Sequence, residues 1–274
     1  MPTSRYRPPF WRRREPAPQH DIALLRPGSL LTGQRFETLN DVQIESERSE
    51  QLLNSFGSGG RKLARVLQKC REEHHRCDQI FCPICARVFR RWFTGELLRV
   101  AAEAHQPIRI FTVLLEQADR AKIHVLDSAN YRHMLRKRLE RAGLKNTSVI
   151  AGFEIAYKAK QKVWVLHINL VVIGGNEAAL DRFKEGFDGS EIGRPIMSMP
   201  LKDRSEQLSY ILKFGTYHRP LERTGPTKGP AKPLNAPEHH ALVNWMAQRQ
   251  FKDFLFLYNA RRSRDSILVN VDGS

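Results

Sequence analysis

VIAGFEIAYKAKQKVWVLHINLVVI, residues 149–173, holds two apolar runs rich in β-branched and aromatic residues, separated by a short basic stretch. Val149–Tyr157 and Val163–Ile173 each suit a strand, and Lys158–Lys162 between them has the length of a turn. Alternate residues of a strand share a face, so His167 and Asn169 point the same way. Two polar side chains within an apolar strand are costly unless partners satisfy them. A divalent ion is one such partner, because imidazole nitrogen and amide oxygen both ligate metals. Hydrogen bonds to neighbouring backbone are the commoner solution for an isolated His-x-Asn. If the two runs form a hairpin, Glu154 lies nearly opposite His167, on a face that the turn geometry decides. Glu154, His167 and Asn169 then make a partial, open shell suited to a phosphate bound through magnesium or manganese.

Further elements flank this hairpin. Ile108–Leu115 (IRIFTVLL) reads as a strand, Phe89–Ala104 and the basic stretch Ser128–Ala142 as helices, Glu177–Phe187 as a helix and Pro195–Leu201 as a short strand. Asp203 or Ser205 caps a helix expected to run to about Tyr217. Residues 219–238 are proline-rich and read as a linker. A final helix is expected from about His240 to Arg261, carrying Trp245, Phe251, Phe254, Leu255 and Tyr258. Near the other end, Ser58-Gly59-Gly60 reads as a hinge ahead of helically spaced Arg61–Lys69. Residues 1–20, broken by prolines and carrying Arg12, Arg13 and Arg14, read as a disordered basic arm, either a phosphate clamp or a solvated tail. The expected organisation is an arm at 1–20, a cysteine segment and helix at 61–104, a core at 105–218, a linker at 219–238 and a terminal helix at 239–264.

All four cysteines, Cys70, Cys77, Cys82 and Cys85, fall in one segment that ends FCPICARVFRRW. Four thiolates complete the tetrahedral shell of a structural zinc ion, and such a filled site leaves no position for substrate. His74 and His75 lie inside the segment and could replace one thiolate. Disulfides would need an oxidising compartment; unligated thiols would scatter through a core rather than gather in a polar, basic segment. Arg87, Arg90 and Arg91 follow directly and are expected to present charge to phosphates.

QLSYILKFGTYH places Tyr210 and Lys213 three apart, on one face of the expected helix. A tyrosine hydroxyl can attack a phosphodiester and hold the product covalently. Its unperturbed pKa near 10 calls for a neighbouring cation or metal, and the same lysine can neutralise charge developing on phosphate. Tyr210, Phe214 and Tyr217 also follow the spacing of an ordinary core stripe.

The 274-residue chain has 45 Lys and Arg against 29 Asp and Glu, a formal charge of +16, and a pI near 10.1. Such a field attracts polyanions, nucleic acid first among them. A membrane surface is disfavoured, because no long amphipathic basic helix and no apolar span is evident. No secretory signal is evident either, so the expected location is cytoplasmic.

Taken in order, these parts resemble the HUH-type rolling-circle replication initiators of plasmids and phages. FCPICARVFRRW is similar to the cysteine segment ahead of the nuclease core in one plasmid branch, IFTVLL to the first core strand, GFEIAY and WVLHINLVV to the glutamate and metal-binding strands, and YILKF to the tyrosine helix. The resemblance spans roughly Cys70 to His218. It implies an α+β fold, an antiparallel sheet flanked by helices and preceded by a four-cysteine zinc segment. It implies a single-strand DNA endonuclease working through covalent phosphotyrosine, with Glu154, His167 and Asn169 on magnesium or manganese. Tyr210, with Lys213 steadying charge, is the expected nucleophile and Tyr217 a further candidate. The implied partners are single-stranded or hairpin origin DNA, held by the cysteine segment and by Arg136, Arg138 and Arg141, and a host helicase or polymerase. Two departures stand out: Asn169 replaces a usual histidine, and Phe214 stands where many plasmid members have tyrosine. A non-cleaving DNA-binding regulator on the same scaffold is therefore a second reading. An RNA-binding zinc protein is a third, and it leaves the ordered strand motifs unexplained.

Overall fold

The computed structural model describes residues 36–72, 76–187, 195–202, 204–214, 217–218, 232–263 and 266–269. The hairpin is present. Strand β2 (Ser148–Lys158) and strand β3 (Val163–Ile173) pair antiparallel with Glu154 opposite His167. Strand β1 (Ile108–Asp119) lies on the other side of β3, and strand β4 (Ile196–Pro200) pairs with β1 at the edge. Strands β5 (Tyr217–His218) and β6 (Lys232–Pro233) form a separate small ladder. Strand β7 (Leu255–Tyr258) closes the other edge against β2, and β8 (Ala260–Arg262) pairs with β9 (Ile267–Val269). The main sheet is antiparallel throughout, in the order β4-β1-β3-β2-β7.

Strand alternation gives this sheet two different faces. One carries Thr112, Glu154, His167 and Asn169, with Met197 and Met199 at the β4 edge. The other carries Phe111, Phe153, Ile168 and Leu170, all buried. Helix α4 (Ser128–Arg141) and helix α5 (Glu177–Glu185) cover this second, apolar face: Arg132 lies over Phe153, and Phe183 meets Phe111 edge-on. A register shift between Leu114 and Glu116 turns Glu116 toward this second face, where it accepts from the Tyr131 hydroxyl at 2.7 Å.

On the first face, helix α3 (Pro83–Glu103) packs with the short helix α6 (Arg204–Ser209). Helix α1 (Leu39–Asn54), started by a Thr38–Asp41 capping box, and helix α2 (Gly57–Glu72) form the layer outside α3. No helix among the described residues is long and apolar enough to cross a membrane.

Several expected elements differ. The helix expected to reach Tyr217 ends at Ser209, and Tyr210–Phe214 is irregular chain that follows the sheet, burying Ile211 and Leu212. The long terminal helix is instead helix α7 (Ala236–Ala247), a 3-10 turn at Phe251–Phe254, and β7. The aromatic run LFLY is stabilised more by sheet pairing on β2 than by continuing a helix. The expected linker at 219–238 overlaps β6 and the start of α7, where Asn235 caps the helix; its residues 219–231 lie outside the described residues, as does the arm. Ser58-Gly59-Gly60 is no hinge. These residues sit inside α2, Gly57 (φ 53°) makes the turn, and a Cβ on Gly60 would collide with the Leu53 carbonyl.

Helix α7 buries His239 completely, with no hydrogen-bond partner for either ring nitrogen among the described residues. Burial, then the charge of Arg48 and the neighbouring His240, pushes its pKa down to about 3. The unfolded chain takes up that proton near pH 6.5, so folding stability drains away as pH falls from there toward the folded value. His239→Leu is expected to raise the melting temperature and to flatten its decline between about pH 7 and pH 4, read by thermal denaturation across that range.

Candidate functional site

Register brings the polar residues of the hairpin together. Glu154 Oε2 lies 2.8 Å from His167 Nε2 and accepts from Asn169 Nδ2 at 2.9 Å. Asn169 Oδ1 in turn accepts from the Thr112 hydroxyl at 2.8 Å. Glu154 and His167 are partly buried and Asn169 is buried. Asn169 is thereby oriented as a support for Glu154, with its amide oxygen engaged by Thr112, rather than as an open metal ligand. Thr112 carries no motif in the sequence; only its register opposite Asn169 identifies it.

Burial raises the Glu154 carboxyl's pKa, but the His167 hydrogen bond, the charges of His167 and Lys213, and the Asn169 amide outweigh it and hold it below its ordinary value. Glu154 is therefore a carboxylate at neutral pH. Its partners' stabilisation is complete above the ordinary carboxylate range and is lost as pH falls through the lowered folded value.

Tyr210 and Lys213 reach the same place without a helix. The Asn169 amide approaches the Tyr210 carbonyl at 3.5 Å, and Lys213 Nζ sits 2.9 Å from the Tyr210 ring centroid. The chain can run this close because position 152, opposite Asn169, is glycine: a Cβ there would stand 2.5 Å from the Ile211 carbonyl oxygen. Phe214 is partly buried and packs against the core, among Phe89, Phe251 and Phe254. The side chain of Tyr217 lies outside the described residues.

The segment is also held from α3. Arg90 pairs with Glu37, lies under the Phe36 ring, and donates to the Ser209 carbonyl at 2.9 Å. Arg87 donates to the Glu37 carbonyl at 3.0 Å. Both arginines are buried and Arg91 partly so. Arg87 and Arg90 therefore do not present charge to phosphates; a buried guanidinium needs internal acceptors, and Glu37 and Ser209 provide them. On α4, Arg136 and Arg141 are exposed, while Arg138 lies 4.0 Å from the Phe187 ring. That helix covers the face opposite the Glu154 cluster.

The four cysteines converge. Cys70 lies in the last turn of α2, Cys77 in the connection, Cys82 immediately before α3 and Cys85 in its first turn. Sulfur separations are 3.6 Å for Cys70–Cys85 and Cys70–Cys82 and 3.7 Å for Cys77–Cys85, with all four sulfurs within 4.8 Å of one another. A disulfide would need about 2.0 Å, and all four are free. A tetrahedral ion with bonds of about 2.3 Å needs edges of about 3.8 Å, and these three separations come close to that. Hydrogen bonds from Cys77, Cys82 and Cys85 lower the Cys70 pKa, whereas hydrogen bonds with Cys70 first and then Cys77, together with burial, raise Cys82 and Cys85. A bound cation would let all four deprotonate together. His74 and His75 lie outside the described residues.

Comparisons with protein-family models, with curated proteins and with solved structures return no match.

Removing one partner of the buried Glu37–Arg90 pair leaves an uncompensated charge, so Arg90→Met is expected to cost about 3–5 kcal/mol. Adding Glu37→Gln should restore a large part of it, and chemical denaturation of the two variants reads the difference.

Proposed function

We propose that this chain is a metal-dependent, site-specific single-strand DNA endonuclease of the rolling-circle initiator type, working through a covalent phosphotyrosine. The observation that carries this reading is the convergence of Glu154, His167 and Asn169 with Tyr210 and Lys213 on one sheet face of a strongly basic protein.

Glu154 and His167 fit a divalent ion: their donor atoms are 2.8 Å apart, close to the edge of about 2.9 Å of an octahedron with 2.0–2.1 Å bonds. Magnesium or manganese held there would supply Lewis-acid charge to a phosphate. Asn169 and Thr112 keep Glu154 oriented and ionised. The Tyr210 hydroxyl oxygen bonds to phosphorus, the bond to the 3′ oxygen breaks, and the departing strand leaves as a 3′ hydroxyl. The phenolic proton is lost to solvent, and a proton is regained by the leaving oxygen. Lys213, beside the Tyr210 ring and near enough to Glu154 to influence its ionisation, offers positive charge to the phosphate. Reversal of the same step joins ends.

A second reading is a non-cleaving DNA-binding regulator on this scaffold. One observation favours it: Glu154, His167, Asn169 and Thr112 already satisfy one another by hydrogen bonds, so the cluster is stable without an ion. A denaturing gel of end-labelled single-stranded DNA from the protein's own replicon, with manganese or magnesium, separates the two. A denaturant-resistant adduct lost in Tyr210→Phe and His167→Ala is expected. Loss only in Tyr217→Phe would move the nucleophile. Binding without adduct under either metal would select the regulator.

The cysteine cluster is proposed as a structural zinc site that fixes the first turn of α3. One zinc per chain is expected by elemental analysis. Chelation should lower the melting temperature and helix content, and Cys82→Ser should do the same without chelator.

A further inference from the structure

On the site-bearing face, edge strand β4 exposes two large apolar side chains, Met197 and Met199, which are 48% and 45% exposed. Met197 pairs with Thr112 and Met199 with Ile110, so Met197, Thr112, Asn169 and Gly152 form one row across four strands. Adjacent strands stand about 4.8 Å apart, which puts Met197 about 10 Å from Asn169. Leu114, opposite His167 and partly buried, extends the apolar surface to the cluster. Proline is one ordinary guard of a sheet edge, and Pro200 ends this strand; the thioethers of Met197 and Met199 nevertheless face solvent. The basic residues stand just beyond the strand. Lys202 and Arg204 are exposed, and Lys213 lies beside Tyr210. Gln207 fixes this corner, donating to the Pro200 carbonyl at 3.1 Å and accepting from the Lys202 amide at 2.6 Å.

An occupant of this surface must bring flat apolar faces and negative charge together. A second copy of the chain would bring its own +16 charge and be repelled. Unpaired nucleotides supply both: polarizable thioethers conform to any base, and cations take the phosphates. We propose that Met197 and Met199 form the platform on which unpaired bases of single-stranded DNA stack, with Lys202, Arg204 and Lys213 taking the backbone toward Glu154 and His167. This rests on the single-strand nuclease reading above.

The test measures binding of fluorescein-labelled oligo-dT and of an abasic oligomer of equal length to the full chain, to Met197→Gln/Met199→Gln and to Met197→Leu/Met199→Leu. All three are first matched by thermal melts, and the adduct assay is run in parallel. The platform predicts that the Gln variant loses about tenfold in affinity for oligo-dT, keeps its affinity for the abasic oligomer, and that the Leu variant behaves as wild type. Equal oligo-dT affinity in the Gln variant overturns the platform while wild-type adduct formation leaves the nuclease reading standing. Wild-type dimers by analytical ultracentrifugation that become monomers in the Gln variant also overturn it, because the occupant is then a second chain. No binding of either oligomer by wild type overturns both.

Discussion

The β2–β3 register is the constraint on which the rest depends. Glu154 meets His167 at 2.8 Å only because these residues are cross-strand partners. A slip of one residue would turn Glu154 to the other face, among Phe153, Ile168 and the rest of the apolar core. The glycine at 152 belongs to the same register. It lies opposite Asn169, and its missing side chain is the space through which Ile211 approaches. One pairing thus sets the carboxylate, the imidazole, the supporting amide and the path of the tyrosine segment. The strands' apolar partners enforce it: Val149, Ala151, Phe153, Leu166, Ile168 and Leu170 are all fully buried on the far face.

Helix α3 transmits order from the cysteine cluster to that site. Its first turn is built on Cys82 and Cys85, and Arg90, further along the same helix, reaches the Ser209 carbonyl immediately before Tyr210. Phe89 packs on Phe214 at the other end of the segment. The tyrosine and lysine are therefore clamped at both flanks by one helix. A metal held by the cysteines would act on that segment through this helix rather than through chemistry of its own, as a filled tetrahedral site requires.

The hairpin and the cysteine cluster were legible in the sequence for physical reasons. Alternation of apolar residues fixes strand faces, and four thiols within one short segment have few arrangements other than a common centre. The same local logic failed where long-range packing chose the structure. Tyr210, Phe214 and Tyr217 have helical spacing, yet the chain leaves the helix at Tyr210 and buries Ile211 and Leu212 in irregular structure against the sheet. Trp245 to Tyr258 reads as one amphipathic stretch because Leu255–Tyr258 suits either period, and only the vacant edge of β2 decides for a strand. Arg87 and Arg90 carry no local mark of burial; their acceptor, Glu37, lies far away in sequence. Thr112 is equally silent, since a hydroxyl in an apolar strand reveals its partner only through register.

The basic helix α4 and the Glu154 cluster lie on opposite faces of the sheet. Helix α4 covers the apolar face near β7, where Arg132 donates to the Leu255 carbonyl and Arg136 lies over the Tyr258 ring. The exposed methionines stand on the other face at the opposite edge. From β4 to β7 the sheet spans four strand steps, about 19 Å. A single strand seated at Glu154 and His167 would have to pass around the β7 edge to touch α4. Arg138 is moreover committed to Phe187, so part of the basic character of α4 serves packing. The positive charge of α4 thus adds to the long-range field of a basic protein, an effect that falls off with salt. On the nuclease reading, contact with a phosphate at the cluster would fall first to Lys213, which lies beside the Tyr210 ring and close enough to Glu154 to lower its pKa.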